Sequence, residues 1–196
     1  MQDGGVVTKV TTLGGSKMTE AAMTERIGDS LRIAPAFVAS AVNDETGIET
    51  ALEAHYRRDE GRYVVTTIVN KAVRNDFDRE ALRRAAVSPI LQTAVPWCMA
   101  IDLEQWVTVG DLTEGEGRII PDYMAREVIK RGAGDARMEV IQIIYGAAAL
   151  AGLPPVKAVQ HELQVPHRTA SDWIMKARKG GWLEGLNYAV GRQAES

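Results

Sequence analysis

The chain has 196 residues, 45% of them hydrophobic, with a net charge of −3 and a pI near 5.7. That is enough for one domain with a good core or two small ones, and it excludes the strongly basic balance of many nucleic-acid binders. The single cysteine, Cys98, rules out an intrachain disulfide and fits a reducing cytoplasm, and no apolar run reaches the roughly eighteen residues of a membrane span.

Residues 1–17 are small, polar and glycine-rich. They read as a disordered leader and lack the charged start and apolar core of a secretion signal. Residues 18–106 read as an N-terminal α+β segment. Within it, 18–31 suits a short helix with Thr19 as its cap, and 48–74 suits a β-hairpin turning at Asp59-Glu60-Gly61. Val65, Thr67 and Val69 alternate with Val64, Thr66 and Ile68 in the second arm, as β-branched strands do. The first arm holds Ala51, Leu52 and Ala54, which also suit a helix. Asn75 or Asp76 caps FDREALRRAAV, whose Arg79, Arg83 and Arg84 form a charged outer face. Pro89 restarts a helix through ILQTAVPWCMAIDLEQW, kinked at Pro96. Cys98 lies in an apolar run and reads as a small core residue rather than a nucleophile.

Glycines at 110, 115 and 117 mark residues 107–120 as a loop or linker. Residues 121–186 read as a helical domain. Pro121-Asp122 opens its first helix and Gly132 ends it. Asp135 caps a core helix whose Met138, Ile141, Ile144, Tyr145 and Ala148 recur at helical spacing. Residues 187–196 read as a frayed tail. The expected fold is therefore α+β but mostly α, an N-terminal hairpin plus helices followed by a C-terminal helical bundle.

The most informative stretch is Pro154 to Trp182, which has the spacing of a helix-turn-helix. Pro154 and Pro155 suit a helix start. Val156, Val159 and Leu163 share one face. Val165-Pro166 interrupts the helix, because the residue before a proline is pushed out of the α region. Ala170, Trp173, Ile174 and Ala177 make a second apolar stripe, which Gly180-Gly181 ends. Five basic residues face two acidic ones over 154–183, so basic character concentrates here.

This stretch is similar to the C-terminal segment of a family of uncharacterised actinobacterial and actinophage helix-turn-helix proteins. The matching positions are Gly152, Pro154, Pro155, Ala158, Val159, Val165, Thr169, Ala170, Trp173, Ala177, Arg178, Gly181 and Leu183. The likeness covers roughly residues 50–184 and is strongest over 140–183. Two positions depart from the pattern: Gln160 stands where a small residue is usual, and Gln164 where glycine makes the turn. Gln164 must then adopt a left-handed backbone, or the turn must be built differently.

Catalytic and metal chemistry find no foothold in the sequence. His55, His161 and His167 are not at metal-ligand spacing with each other or with Cys98, and His161-Glu162 lacks the second histidine of a metalloprotease. There is no phosphate loop and no nucleophile elbow. Glu114 and Glu116 flank Gly115 in a loop, where such pairs are usually solvated. No cofactor, metal or catalytic residue is expected.

The sequence-based expectation is a non-enzymatic, cytoplasmic, sequence-specific reader of double-stranded DNA, of transcriptional-regulator type. His167, Arg168, Ser171 and Asp172 would reach base edges, and Lys157, Thr169, Lys176, Arg178 and Lys179 would meet the DNA backbone. So few cations favour a dimer, with the N-terminal hairpin segment as the candidate for self-association. The rival expectation keeps the motif but gives its outer face to a protein partner. A recombination accessory factor would use the same contacts as the DNA reader.

Overall fold

The computed structural model describes residues 6–27, 31–84, 87–102, 105–113, 118–130 and 134–186. The expected tail at 187–196, the Glu114–Gly115–Glu116 loop and the Gly132 helix stop lie outside the described residues.

Two four-stranded antiparallel sheets account for the N-terminal and central parts of the chain. In the first, β1 (Val6–Thr11), β4 (Ala36–Asn43), β5 (Ile48–Arg57) and β6 (Arg62–Ala72) lie in that order. Side chains alternate along β4 and β5, burying Phe37, Ala39, Ala41, Ile48, Leu52 and Ala54 on one face. Ala51, Leu52 and Ala54 would be good helix formers alone. Here β5 pairs with β4 on one side and β6 on the other, so cross-strand pairing overrides local preference. The β5–β6 turn closes at Gly61 with a positive φ of 64°, its N–H donating to the Arg57 carbonyl at 2.8 Å.

In the second sheet, β2 (Glu25–Ile27), β3 (Leu31–Ile33), β7 (Met99–Asp102) and β8 (Trp106–Thr108) pair in sequence order. Leu31 lies opposite Ile101 and Ile33 opposite Met99, all four buried.

Six α-helices complete the described fold: α1 (Val87–Ala94), α2 (Val109–Leu112), α3 (Asp122–Lys130), α4 (Asp135–Leu150), α5 (Pro155–Leu163) and α6 (His167–Lys179). A 3-10 turn at Val95–Cys98 joins α1 to β7. Every residue of α4 from Val140 to Leu150 is buried. A helix apolar on all sides belongs inside a core rather than on a surface. Gly146 of α4 meets β3 so closely that a Cβ there would lie 3.2 Å from Leu31 Cδ1.

This architecture overturns the expectation of a mostly α protein with a C-terminal helical bundle. The core is one cluster running from Leu31, Ile33 and Phe37 of the sheets through Ile141 and Ile144 to Leu163 and Ala170. The Ile141–Ile144–Ala148 stripe showed one face of α4. A second apolar face, with Val140, Ile143, Ala147 and Leu150, is buried as well, so α4 is enclosed on every side from Val140 onward.

Several local expectations change with it. The leader, expected to be disordered over 1–17, supplies β1. The helix expected over 18–31 is a single 3-10 turn at Glu20–Ala22, without a side-chain cap from Thr19, followed by β2 and the start of β3. The long helix expected from Pro89 through Trp106 ends near Pro96, and Met99-Ala100-Ile101 becomes a fully buried strand. Short apolar runs carry no period, so helix and strand cannot be told apart there by pattern. The 107–120 segment holds the end of β8 and α2, whose first turn is capped by the Thr108 hydroxyl accepting from Asp111 N–H at 3.0 Å.

Cys98 is fully buried, and burial pushes its thiol well above the usual range, which suits a core residue. Among the described residues no helix is long and apolar enough to cross a membrane.

Candidate nucleic-acid interface

The two helices at the C-terminal end are joined by three residues. Pro154 (φ −64°, ψ 109°) leads into α5, which buries Val159 and Leu163 completely. Val165 and Pro166 lie outside both helices, Pro166 extended at φ −60° and ψ 152°, and α6 starts at His167. Ala170, Ile174 and Ala177 of α6 are buried against the core. Gly181 takes a positive φ of 80°, and the Trp182 N–H returns to the Ala177 carbonyl at 3.0 Å. The chain then folds back: Gln142 of α4 donates to the Trp182 carbonyl at 2.6 Å, and Leu183 and Leu186 are buried.

Gln164 resolves the question of the missing turn glycine. It adopts the left-handed conformation, φ 51° and ψ 41°, the only positive-φ non-glycine residue among those described. Its side-chain amide donates to the His161 carbonyl at 2.6 Å, satisfying one of the orphan acceptors at the end of α5. The left-handed region costs an L-residue roughly 1–2 kcal/mol. Gln164→Gly is accordingly expected to raise stability by about 0.5–1 kcal/mol, less than the full strain because the unfolded chain gains freedom and the amide contact is lost. Thermal denaturation checks this, and a lower melting temperature than the parent counts against a strained turn.

Arg168, Asp172, Met175, Lys176 and Lys179 are all exposed on α6, and their spacing puts them on one stripe opposite the buried residues. Beside them, His167 is exposed and Ser171 half-buried, with Ser171 Oγ 3.5 Å from His167 Nδ1. Among the described residues Arg168, Lys176 and Lys179 have no hydrogen-bond or ion-pair partner. The four expected base readers therefore share one accessible turn and a half. Thr169 is half-buried at the edge of the stripe, and Lys157 is exposed on α5.

Arg178 does not join this group. Its guanidinium donates to the Tyr145 hydroxyl at 2.7 Å and lies 5.5 Å over that ring, so it fastens α6 to α4. Nothing at positions 176–179 separates it from the lysines by residue type. The signal was positional, since residue 178 follows the buried Ala177 and faces the tyrosine of the core helix. Trp173 is half-buried, with the Arg137 guanidinium 4.4 Å over its indole. It is a packing residue rather than an open stacking platform. Met175, 49% exposed, was missed by sequence reasoning, although it lies seven residues after Arg168 and so two turns along the same face.

Glu162 is the other residue that sequence reasoning left out. Its carboxylate lies on α5 but is only 4% exposed. One oxygen accepts from Arg118 Nε and from the Ile120 N–H, both at 3.4 Å, while Arg118 also donates to the Glu162 carbonyl at 2.9 Å and pairs with Asp122. The segment expected to be a linker is thereby docked on the first helix of the motif.

No protein-family model, no curated protein and no solved structure matches the chain.

Proposed function

We propose that α6 lies in the major groove of double-stranded DNA and reads its sequence, the protein acting as a transcriptional regulator. The observation that carries this reading is the exposed polar stripe of α6, with three unpaired cations, mounted on a helix whose opposite face is locked into the core. A rigid support is what a base reader needs, because hydrogen bonds to base edges discriminate only at defined positions. Arg168 in the first turn reads guanine in a bidentate manner, with His167, Ser171 and Asp172 beside it. Lys176 and Lys179 meet phosphates, and Lys157 of α5 adds a third such contact. The resemblance to helix-turn-helix proteins over 140–183 points the same way. Three phosphate contacts give a salt slope of about −2.7 per protomer, which is shallow and favours paired sites.

Selection from a random duplex pool by the full chain tests the reading. An enriched motif is expected, and Arg168→Ala should cost roughly 1–3 kcal/mol at one position of that motif while leaving other positions unchanged. Absence of enrichment, or an unchanged motif in the variant, rejects specific reading through Arg168.

Met175 favours one alternative. A half-exposed methionine in the middle of the stripe, next to Asp172, suits a protein surface in a chain of net charge −3. Heparin retention of the full chain separates the two readings: strong, salt-sensitive retention supports the polyanion partner, and flow-through supports the protein partner.

A further inference from the structure

A cleft of about 380 Å³ opens beside α5, between the Pro96–Trp97 turn with α2 on one side and α4 with α5 on the other. Its apolar lining includes Trp97, Ile119, Leu153 and Ala158. The Trp97 indole is fixed from behind. A Cβ on Gly110 of α2 would stand 2.4 Å from its ring, so only glycine lets the backbone come this close. The ring is half-buried and contributes surface to the cleft.

The polar groups of the cleft divide into two kinds. Glu162 and Arg118 also line it, but they satisfy each other, the Ile120 N–H and Asp122. Lys157, exposed at the opening, has no ion-pair partner among the described residues. His161 is exposed beside it, 3.7 Å from the already engaged Glu162 carboxylate. An apolar slot backed by an indole, with one unpaired cation at its mouth, complements a flat hydrophobic body bearing a single negative charge. The volume lies at the lower end of the range for small-molecule sites, which limits the body to one or two fused rings.

We propose that this cleft binds a small aromatic monocarboxylate, with its ring against Trp97 and its carboxylate on Lys157. The site stands on the cleft alone and does not rest on α6 meeting DNA. One of its walls is α5, so an occupant contacts the helix that braces α6.

The probes are 1-naphthylacetate and its neutral counterpart 1-naphthylacetamide, titrated into the full chain by calorimetry. The acid should bind at least about 10-fold more tightly than the amide, since one charge-assisted contact distinguishes them. Lys157→Gln, an exposed substitution that leaves the fold in place, should bring the acid down to the affinity of the amide. Intermolecular nuclear Overhauser contacts from the naphthyl protons should reach the Trp97 indole. No saturable binding of the acid, a preference that survives Lys157→Gln, or contacts to the other tryptophans alone would each overturn the proposal.

Discussion

Replacing Glu162 by alanine should lower stability by about 2–4 kcal/mol and the melting temperature by roughly 4–15 °C. The carboxylate is 4% exposed and meets Arg118 Nε and the Ile120 N–H. Truncation leaves Ile120, itself 1% exposed, with an amide proton that has lost its acceptor inside the core. Arg118 is partly solvated, with 28% of its side chain accessible, and keeps Asp122 and the Glu162 carbonyl. Its loss therefore falls short of the full cost of orphaning a buried charge. Glu162→Gln keeps an acceptor in place and should cost about half as much. Thermal or urea unfolding of both variants measures the difference. A loss below about 0.5 kcal/mol for the alanine variant would mean that the 118–120 segment is held by Ile120 packing alone.

The helix pair was legible in the sequence because its signals are local and redundant. Proline at the start of α5, proline before α6 and the left-handed Gly181 after it fix the ends independently of the rest of the fold. The α6 stripe follows from helical periodicity, which is why Arg168, Asp172 and Lys176 could be placed on one face in advance. The strands beneath were not legible for an equally physical reason. Met99, Ala100 and Ile101 are all buried, so both faces of β7 are covered and no alternation appears. Leu31-Arg32-Ile33 is too short to show a period, and its partner strand at residues 99–101 lies 66 to 70 residues away in sequence. Gly110 carries another hidden message: it permits Trp97 to lie against α2, yet in the sequence it looks like a loop glycine. Glu162 reads as an ordinary exposed helix charge until Arg118, 44 residues earlier in the chain, is seen beside it.

Reversing two charges on α6, Lys176→Glu with Lys179→Glu, should weaken duplex binding on the order of 100-fold at 0.1 M salt and remove roughly 1.8 from the magnitude of the salt slope. Both lysines are exposed and unpaired among the described residues, so the fold should survive. Two acidic groups in the last turn oppose the helix dipole and should cost only about 1 kcal/mol of stability. Arg178→Gln provides the contrast within the same turn. Its guanidinium is held by the Tyr145 hydroxyl and ring, so its loss should appear mainly in unfolding, at about 1–2 kcal/mol, with little change in salt slope. Filter binding over a salt series, run beside thermal unfolding for all three chains, separates the roles. Equal duplex affinity in the parent and the double variant would take α6 out of the DNA interface. A slope reduced by about 0.9 in Arg178→Gln would instead mean that this arginine leaves Tyr145 to reach a phosphate.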